Sequence, residues 1–108
     1  MIVGIGCDIV EIKRIKASNE KFYKRVLTPN EQEVFHNMTK QRQIEFLAGR
    51  FVAKEAIYKA CNALQTISNI EILNDENGKP YCIVEGYTIH ISIAHEKEYA
   101  IAYAICEK

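Results

Sequence analysis

What this sequence does without narrows its function first. Four cysteines, Cys7, Cys61, Cys82 and Cys106, are scattered with no Cys-x-x-Cys pair, which excludes the usual zinc spacing and fits free thiols in a reducing compartment. No apolar run approaches the roughly 20 residues needed to cross a bilayer. The opening Met1–Cys7 stretch lacks the basic flank of a secretory signal and meets Asp8 and Glu11 too early, so a cytoplasmic protein is expected. There is no phosphate-binding P-loop and no G-x-S-x-G elbow, and Gly4 and Gly6 do not continue into a dinucleotide fingerprint. Net charge is also missing: 14 basic and 14 acidic side chains cancel, which removes the broad positive field that nucleic acid or an anionic membrane would call for. The cancellation hides a local excess. Residues 11–25 carry six basic and two acidic side chains, 6 − 2 = +4, leaving −4 for the rest, so one end of the chain can steer an acidic partner.

What is present suits one domain, 1–108, of a globular protein, with 48% apolar and 26% charged residues. Residues 1–12 are rich in Ile and Val and read as a strand. Its alternation puts Ile5, Cys7 and Ile9 on one face and Gly4, Gly6, Asp8 and Val10 on the other. Lys13 to Arg25 suits a basic helix with Ile12, Ile15, Phe22 and Val26 as a thin apolar seam, interrupted at Ser18-Asn19. Thr28-Pro29-Asn30-Glu31 forms a capping box with Pro at the first helical position, predicting a short helix to Asn37. Thr39 caps a long central helix to Asn62. Beyond it come Ile70 and Ile72, a turn at Asn77-Gly78, and strands over Pro80–Val84, Thr88–Ala94 and Tyr99–Ile105. The last strand sets Ala100, Ala102 and Ala104 in a smooth row against which another layer can pack closely. Strand, helices, then an antiparallel meander make the class α+β.

Three places stand out chemically. Asp8 is the only charge in the first ten residues and sits beside two glycines. On the central helix, Phe46–Ala60 is apolar almost all the way round, yet Glu55 and Lys59 lie one turn apart between Phe51 and Val52. Burying these charges is costly unless each is paired, or neutralised by a metal or anion; the plainer reading is an ordinary i,i+4 helix pair. The same wheel sends Arg50 and Lys54 to water. His95 falls in the short connection between the last two strands, where a histidine is often only surface.

Three segments, G-I-G-C-D-I-V-E-I-K-R-I (4–15), F-L-A-G-R-F-V-A-K-E-A-I-Y-K-A (46–60) and H-I-S-I-A-H-E-K-E-Y-A-I-A (90–102), with Asn77-Gly78-Lys79-Pro80, resemble the holo-acyl-carrier-protein synthases. These are the small, trimeric bacterial type of 4′-phosphopantetheinyl transferase. The resemblance implies that Asp8 and Glu55 hold Mg²⁺ and that Lys59 contacts the phosphates of coenzyme A. It implies that His95, Arg42 and Arg50 contact the coenzyme's nucleotide or phosphates. It also implies that the basic helix, with Arg14 first and Lys21 and Arg25 beside it, docks the acidic carrier protein, and that the assembly is a homotrimer supporting fatty acid biosynthesis.

The reaction so implied is phosphoryl transfer from coenzyme A to a carrier-protein serine, releasing 3′,5′-ADP. The chain departs from the family in two places. Lys59-Ala60-Cys61-Asn62-Ala63 and a shortened loop before Ile70 replace a glycine-containing continuation, and Ala94 stands where Ser or Thr is common. Both bear on coenzyme affinity and leave Asp8, Glu55 and Lys59 intact. A competing function is a non-catalytic module that grips a carrier protein through its basic helix; such a module needs none of those three residues.

Overall fold

A 21-residue helix lies across one face of a four-stranded antiparallel sheet. The computed structural model describes residues 1–62 and 66–108. In chain order the elements are β1 (Ile2–Glu11), α1 (Ile12–Lys16), α2 (Glu20–Val26), α3 (Pro29–His36), α4 (Lys40–Ala60), a 3₁₀ turn (Ile67–Asn69), β2 (Leu73–Asn74), β3 (Pro80–Tyr81), β4 (Ile83–Val84), β5 (Tyr87–His95) and β6 (Tyr99–Glu107). The main sheet runs β1-β6-β5-β4, so β1 and β4 are its edges, while β2 and β3 pair separately. The α+β reading and the order of elements hold.

Local chemistry explains the helix starts. Thr28 accepts from the Glu31 amide while Glu31 reaches back to the Thr28 amide, closing the capping box. Thr39 accepts from the Arg42 amide at the head of α4. The basic segment is two helices, broken at Ser18-Asn19 as its sequence suggests. The Ser18 hydroxyl bonds to the Ile15 carbonyl, and Asn19 caps a fresh start by accepting from the Phe22 amide. Pro80–Val84 is not one strand either: Pro80–Tyr81 pairs with β2 and Ile83–Val84 with β5, so the chain changes partners at buried Cys82. His95 closes β5 opposite Ala100 instead of lying in the connection.

The inner sheet face meets α4 at very short range. Ala100, Ala102 and Ala104 are buried beneath the helix, as the alanine row predicts. A Cβ on Gly6 would stand 1.8 Å from the Ala56 carbonyl oxygen, and one on Gly4 1.8 Å from that of Ala60. Only hydrogen at these two positions lets β1 press its backbone against the helix.

Two expectations about buried charge are overturned. Lys54 is fully buried and Arg50 is 8% exposed, whereas the wheel sends both to water. The helix has a second neighbour on that flank, formed by α3 and the Ile70–Asn74 segment, which carries the partners for both cations. Most of the apolar surplus of α4 is covered by its own chain, with Tyr58 left 42% exposed. The exposed surplus is on the outer sheet face, where Ile5, Ile9, Tyr99 and Tyr103 are 66%, 58%, 43% and 53% exposed. Among the described residues no helix is long and apolar enough to cross a membrane.

Candidate functional site

Asp8 projects from the inner face of β1 between buried Gly6 and Val10, opposite Ala102 in the sheet. The glycine contacts hold this stretch against the C-terminal half of α4, which carries Glu55 and Lys59. Lys59 Nζ lies 3.3 Å from Asp8 Oδ1 and donates to the Cys7 carbonyl at 3.0 Å. The lysine therefore pairs across to the strand and is half exposed, not buried, with 51% of its side chain accessible. Glu55 is half buried. Its carboxyl holds its proton above the usual carboxylate range, chiefly because of burial and next because of the negative charge on Asp8, with Lys59 acting in the opposite sense.

Two carboxylates that repel each other beside one ammonium invite a cation. No cluster of three or more His, Cys, Asp or Glu side chains capable of holding a metal occurs among the described residues. Asp8 and Glu55 are a two-carboxylate set. Such a set suits Mg²⁺, which commonly binds through one or two carboxylates and takes waters and substrate phosphates for the rest.

The other predicted residues gather elsewhere. Arg42, Arg50 and His95 line a cavity of about 510 Å³, with Glu45, Phe46, Asn74 and Tyr81 among its walls. Arg42 is exposed and tied to Glu45, Nη1 to Oε1 2.8 Å. That hydrogen bond is the main reason the Glu45 carboxyl ionises more readily than usual, with Gln41 and the nearby His95 adding to it. Arg50 is immobilised: its Nε donates to the Ile72 carbonyl at 3.2 Å, Nη2 to Asn74 Oδ1, and its guanidinium stacks 4.4 Å from the Phe46 centroid. Ile72, Asn74 and Phe46 had no signal of their own in the sequence.

Neither Asp8, Glu55 nor Lys59 lines this cavity. Along α4, Arg50 and Glu55 are about 7.5 Å apart and turned by about 140° about the axis. One chain thus presents an acid-lysine cluster and an arginine-histidine cavity as separate features. Arg14, Lys21 and Arg25 are all exposed on the two short helices. Ala94 is exposed on β5, and the shortened loop falls partly on residues 63–65, outside the described residues.

Residues 4–104 match the family model of the 4′-phosphopantetheinyl transferase superfamily. Holo-[acyl-carrier-protein] synthase of Geobacillus sp. (strain WCH70) is 46% identical over 117 residues, covering 100% of this chain and 98% of that protein. The enzyme of the same name from Staphylococcus aureus (strain JH9) is 46% identical over 116 residues, with coverage of 100% and 98%. Among solved structures, the holo-(acyl-carrier-protein) synthase from Bacillus anthracis str. Ames in complex with CoA (3′,5′-ADP) superposes with a TM-score of 0.91 at 43% identity, covering 100% of this chain and 98% of that one. That from Neisseria meningitidis gives 0.86 at 33% identity over 100% of both chains.

Proposed function

The chain belongs to the holo-acyl-carrier-protein synthases of the 4′-phosphopantetheinyl transferase superfamily, and on that premise we propose that it moves phosphopantetheine from coenzyme A to a serine of apo acyl carrier protein in a Mg²⁺-dependent reaction. The observation that carries the reading is the Asp8–Lys59 contact, formed where Glu55 feels the charge of Asp8. A docking module has no use for this arrangement.

Asp8 and Glu55 would hold Mg²⁺. Bound there, the ion would supply Lewis-acid neutralisation of the coenzyme's pyrophosphate. Lys59, half exposed and already turned toward the carboxylates, is placed to bind phosphate oxygens and to stabilise the charge that develops on them. The serine hydroxyl attacks the β-phosphorus and 3′,5′-ADP departs. Glu55, Asp8 or a water between them takes the hydroxyl proton. Arg42, Arg50 and His95 bind the nucleotide and its phosphates in the cavity, and Arg14, Lys21 and Arg25 receive the acidic carrier protein.

The same reading makes the protein a cytoplasmic homotrimer that feeds fatty acid biosynthesis. Support for assembly comes from the outer sheet face, where Ile5, Ile9 and Tyr103 leave apolar surface uncovered. Separation of the acid cluster from the cavity favours active sites completed between neighbouring copies.

The test is mass spectrometry of apo carrier protein incubated with the enzyme, coenzyme A and Mg²⁺. Addition of one phosphopantetheine is expected, with chelator, Asp8→Asn and Glu55→Gln each abolishing it. Full modification by both variants would sink the metal assignment. An unmodified carrier that nonetheless binds in a salt-sensitive, chelator-insensitive way would leave the docking module as the function.

A further inference from the structure

Glu31 and Lys54 form a fully buried ion pair that the proposed chemistry does not use. Lys54 Nζ lies 2.5 Å from Glu31 Oε1 and also donates to the Val26 carbonyl at 2.6 Å. The remaining capacity of the carboxylate is spent on the backbone. Oε1 accepts from the Thr28 amide and Oε2 from the Ile72 amide, both at 2.8 Å. The carbonyl of that same Ile72 accepts from Arg50 Nε, and two residues on, Asn74 accepts from the other end of the Arg50 guanidinium.

A continuous line of hydrogen bonds therefore runs from Lys54 through Glu31 and Ile72 to Arg50. Its members Glu31, Ile72, Asn74 and Arg50 all line the cavity assigned to the coenzyme. Besides this line, the wall is held by the burial of Ile70 and Ile72 and by the Glu71 carboxylate, which accepts from the Thr28 hydroxyl and the Asn30 side-chain amide. The strand Leu73–Asn74 is two residues long and pairs only with the equally short β3.

A stabilising role alone does not account for a buried pair of this kind, because apolar residues of similar volume commonly serve a core as well or better. Apolar residues cannot accept the Ile72 amide. Burial is the main influence on the Lys54 ammonium and pulls its pKa down, while Glu31 works against that shift, so the buried ammonium depends on the carboxylate beside it. We infer that Glu31 and Lys54 are positioning residues of the coenzyme cavity, setting the Ile72–Asn74 wall so that Arg50 is held at a fixed angle to the nucleotide. This rests on the proposed function, since it presumes that the cavity takes coenzyme A.

Two variants separate positioning from plain stability. Glu31→Asp keeps a charge for Lys54 but is one methylene too short to reach Lys54, Thr28 and Ile72 together. The double variant Glu31→Leu/Lys54→Met removes both charges at similar volume; because the Thr28 and Ile72 amides and the Val26 carbonyl lose their partners, it is expected to melt below the parent while staying folded at the assay temperature. In both, the KM for coenzyme A and the dissociation constant of 3′,5′-ADP by calorimetry should rise at least fivefold, while kcat at saturating coenzyme falls less than threefold and the KM for carrier protein stays put. Either variant, folded by its thermal transition, binding 3′,5′-ADP within twofold of the parent overturns the positioning role and leaves the transferase reading standing. A parent that binds neither coenzyme A nor 3′,5′-ADP overturns both.

Discussion

Lys59 Nζ bridges from α4 to Asp8 on β1 at 3.3 Å, although the two residues are 51 positions apart in the chain. Lys54, five residues earlier on the same helix, is buried against Glu31. The two lysines should therefore fail in opposite ways. Lys59→Met removes a partly exposed pair worth about 0.5 kcal/mol or less, so the thermal midpoint should barely move while kcat falls by about 10²-fold or more. Lys54→Met strands the Glu31 carboxylate in the core and should cost about 3–5 kcal/mol. Denaturant melts run beside the transfer assay read both effects.

Gly6→Ala places a methyl where the Ala56 carbonyl already stands. The strand must lift away from α4, at a cost of about 3 kcal/mol. Activity should drop further than the stability loss explains, because Asp8 leaves the helix together with the strand. Denaturant titration together with the Mg²⁺ dependence of the transfer rate checks this, and unchanged values of both would contradict the close contact.

Buried Cys82 has its thiol pushed up to about 11 from 9.0, mainly by burial. The folded chain then holds a proton that the unfolded chain releases near pH 9. This contribution is complete below pH 9 and is lost as pH rises toward 11, on the order of 2–3 kcal/mol in all. Burial lowers the Lys54 pKa, which works in the other direction as pH approaches 10.5. The comparison is consequently a difference: between pH 9 and 11, the parent should lose stability faster than Cys82→Ala in denaturant melts.

Ile9→Asp or Tyr103→Lys puts a charge on the outer sheet face without touching the side packed on α4. Each variant should elute as a smaller species by size exclusion with light scattering, with its circular dichroism unchanged. Cys7, directly opposite Tyr103 in the sheet, provides an internal reporter. Its thiol should alkylate slowly in the parent and rapidly in the dissociated variants.

Local rules made much of this molecule legible in its sequence. Thr28 and Thr39 mark helix starts with hydroxyls that act within three residues, and the alternation of Ile89 to Ile93 and of Ala100 to Ala104 is a property of each strand alone. Asp8, Glu55 and Lys59 were readable as candidates because charge beside glycine or on an apolar helix is costly. Partners brought from afar were not readable. Lys54 looked like a solvent-facing lysine because Glu31, 23 residues earlier, presents itself in the sequence only as the closing glutamate of a capping box. Arg50 waited on the carbonyl of Ile72 and the side chain of Asn74, and a backbone acceptor has no signature in side-chain pattern. The break at Cys82 likewise depends on which sheet each half joins.

An edge strand carries Asp8, with β6 on one side and no strand partner on the other among the described residues. Sheet edges fray first on warming, and here fraying would separate the two carboxylates before the core of α4 and β6 gives way. The two backbone contacts at Gly4 and Gly6 act as rivets against that motion. The temperature at which catalysis fades should therefore report the release of those rivets, and it should lie below the temperature at which the whole chain melts.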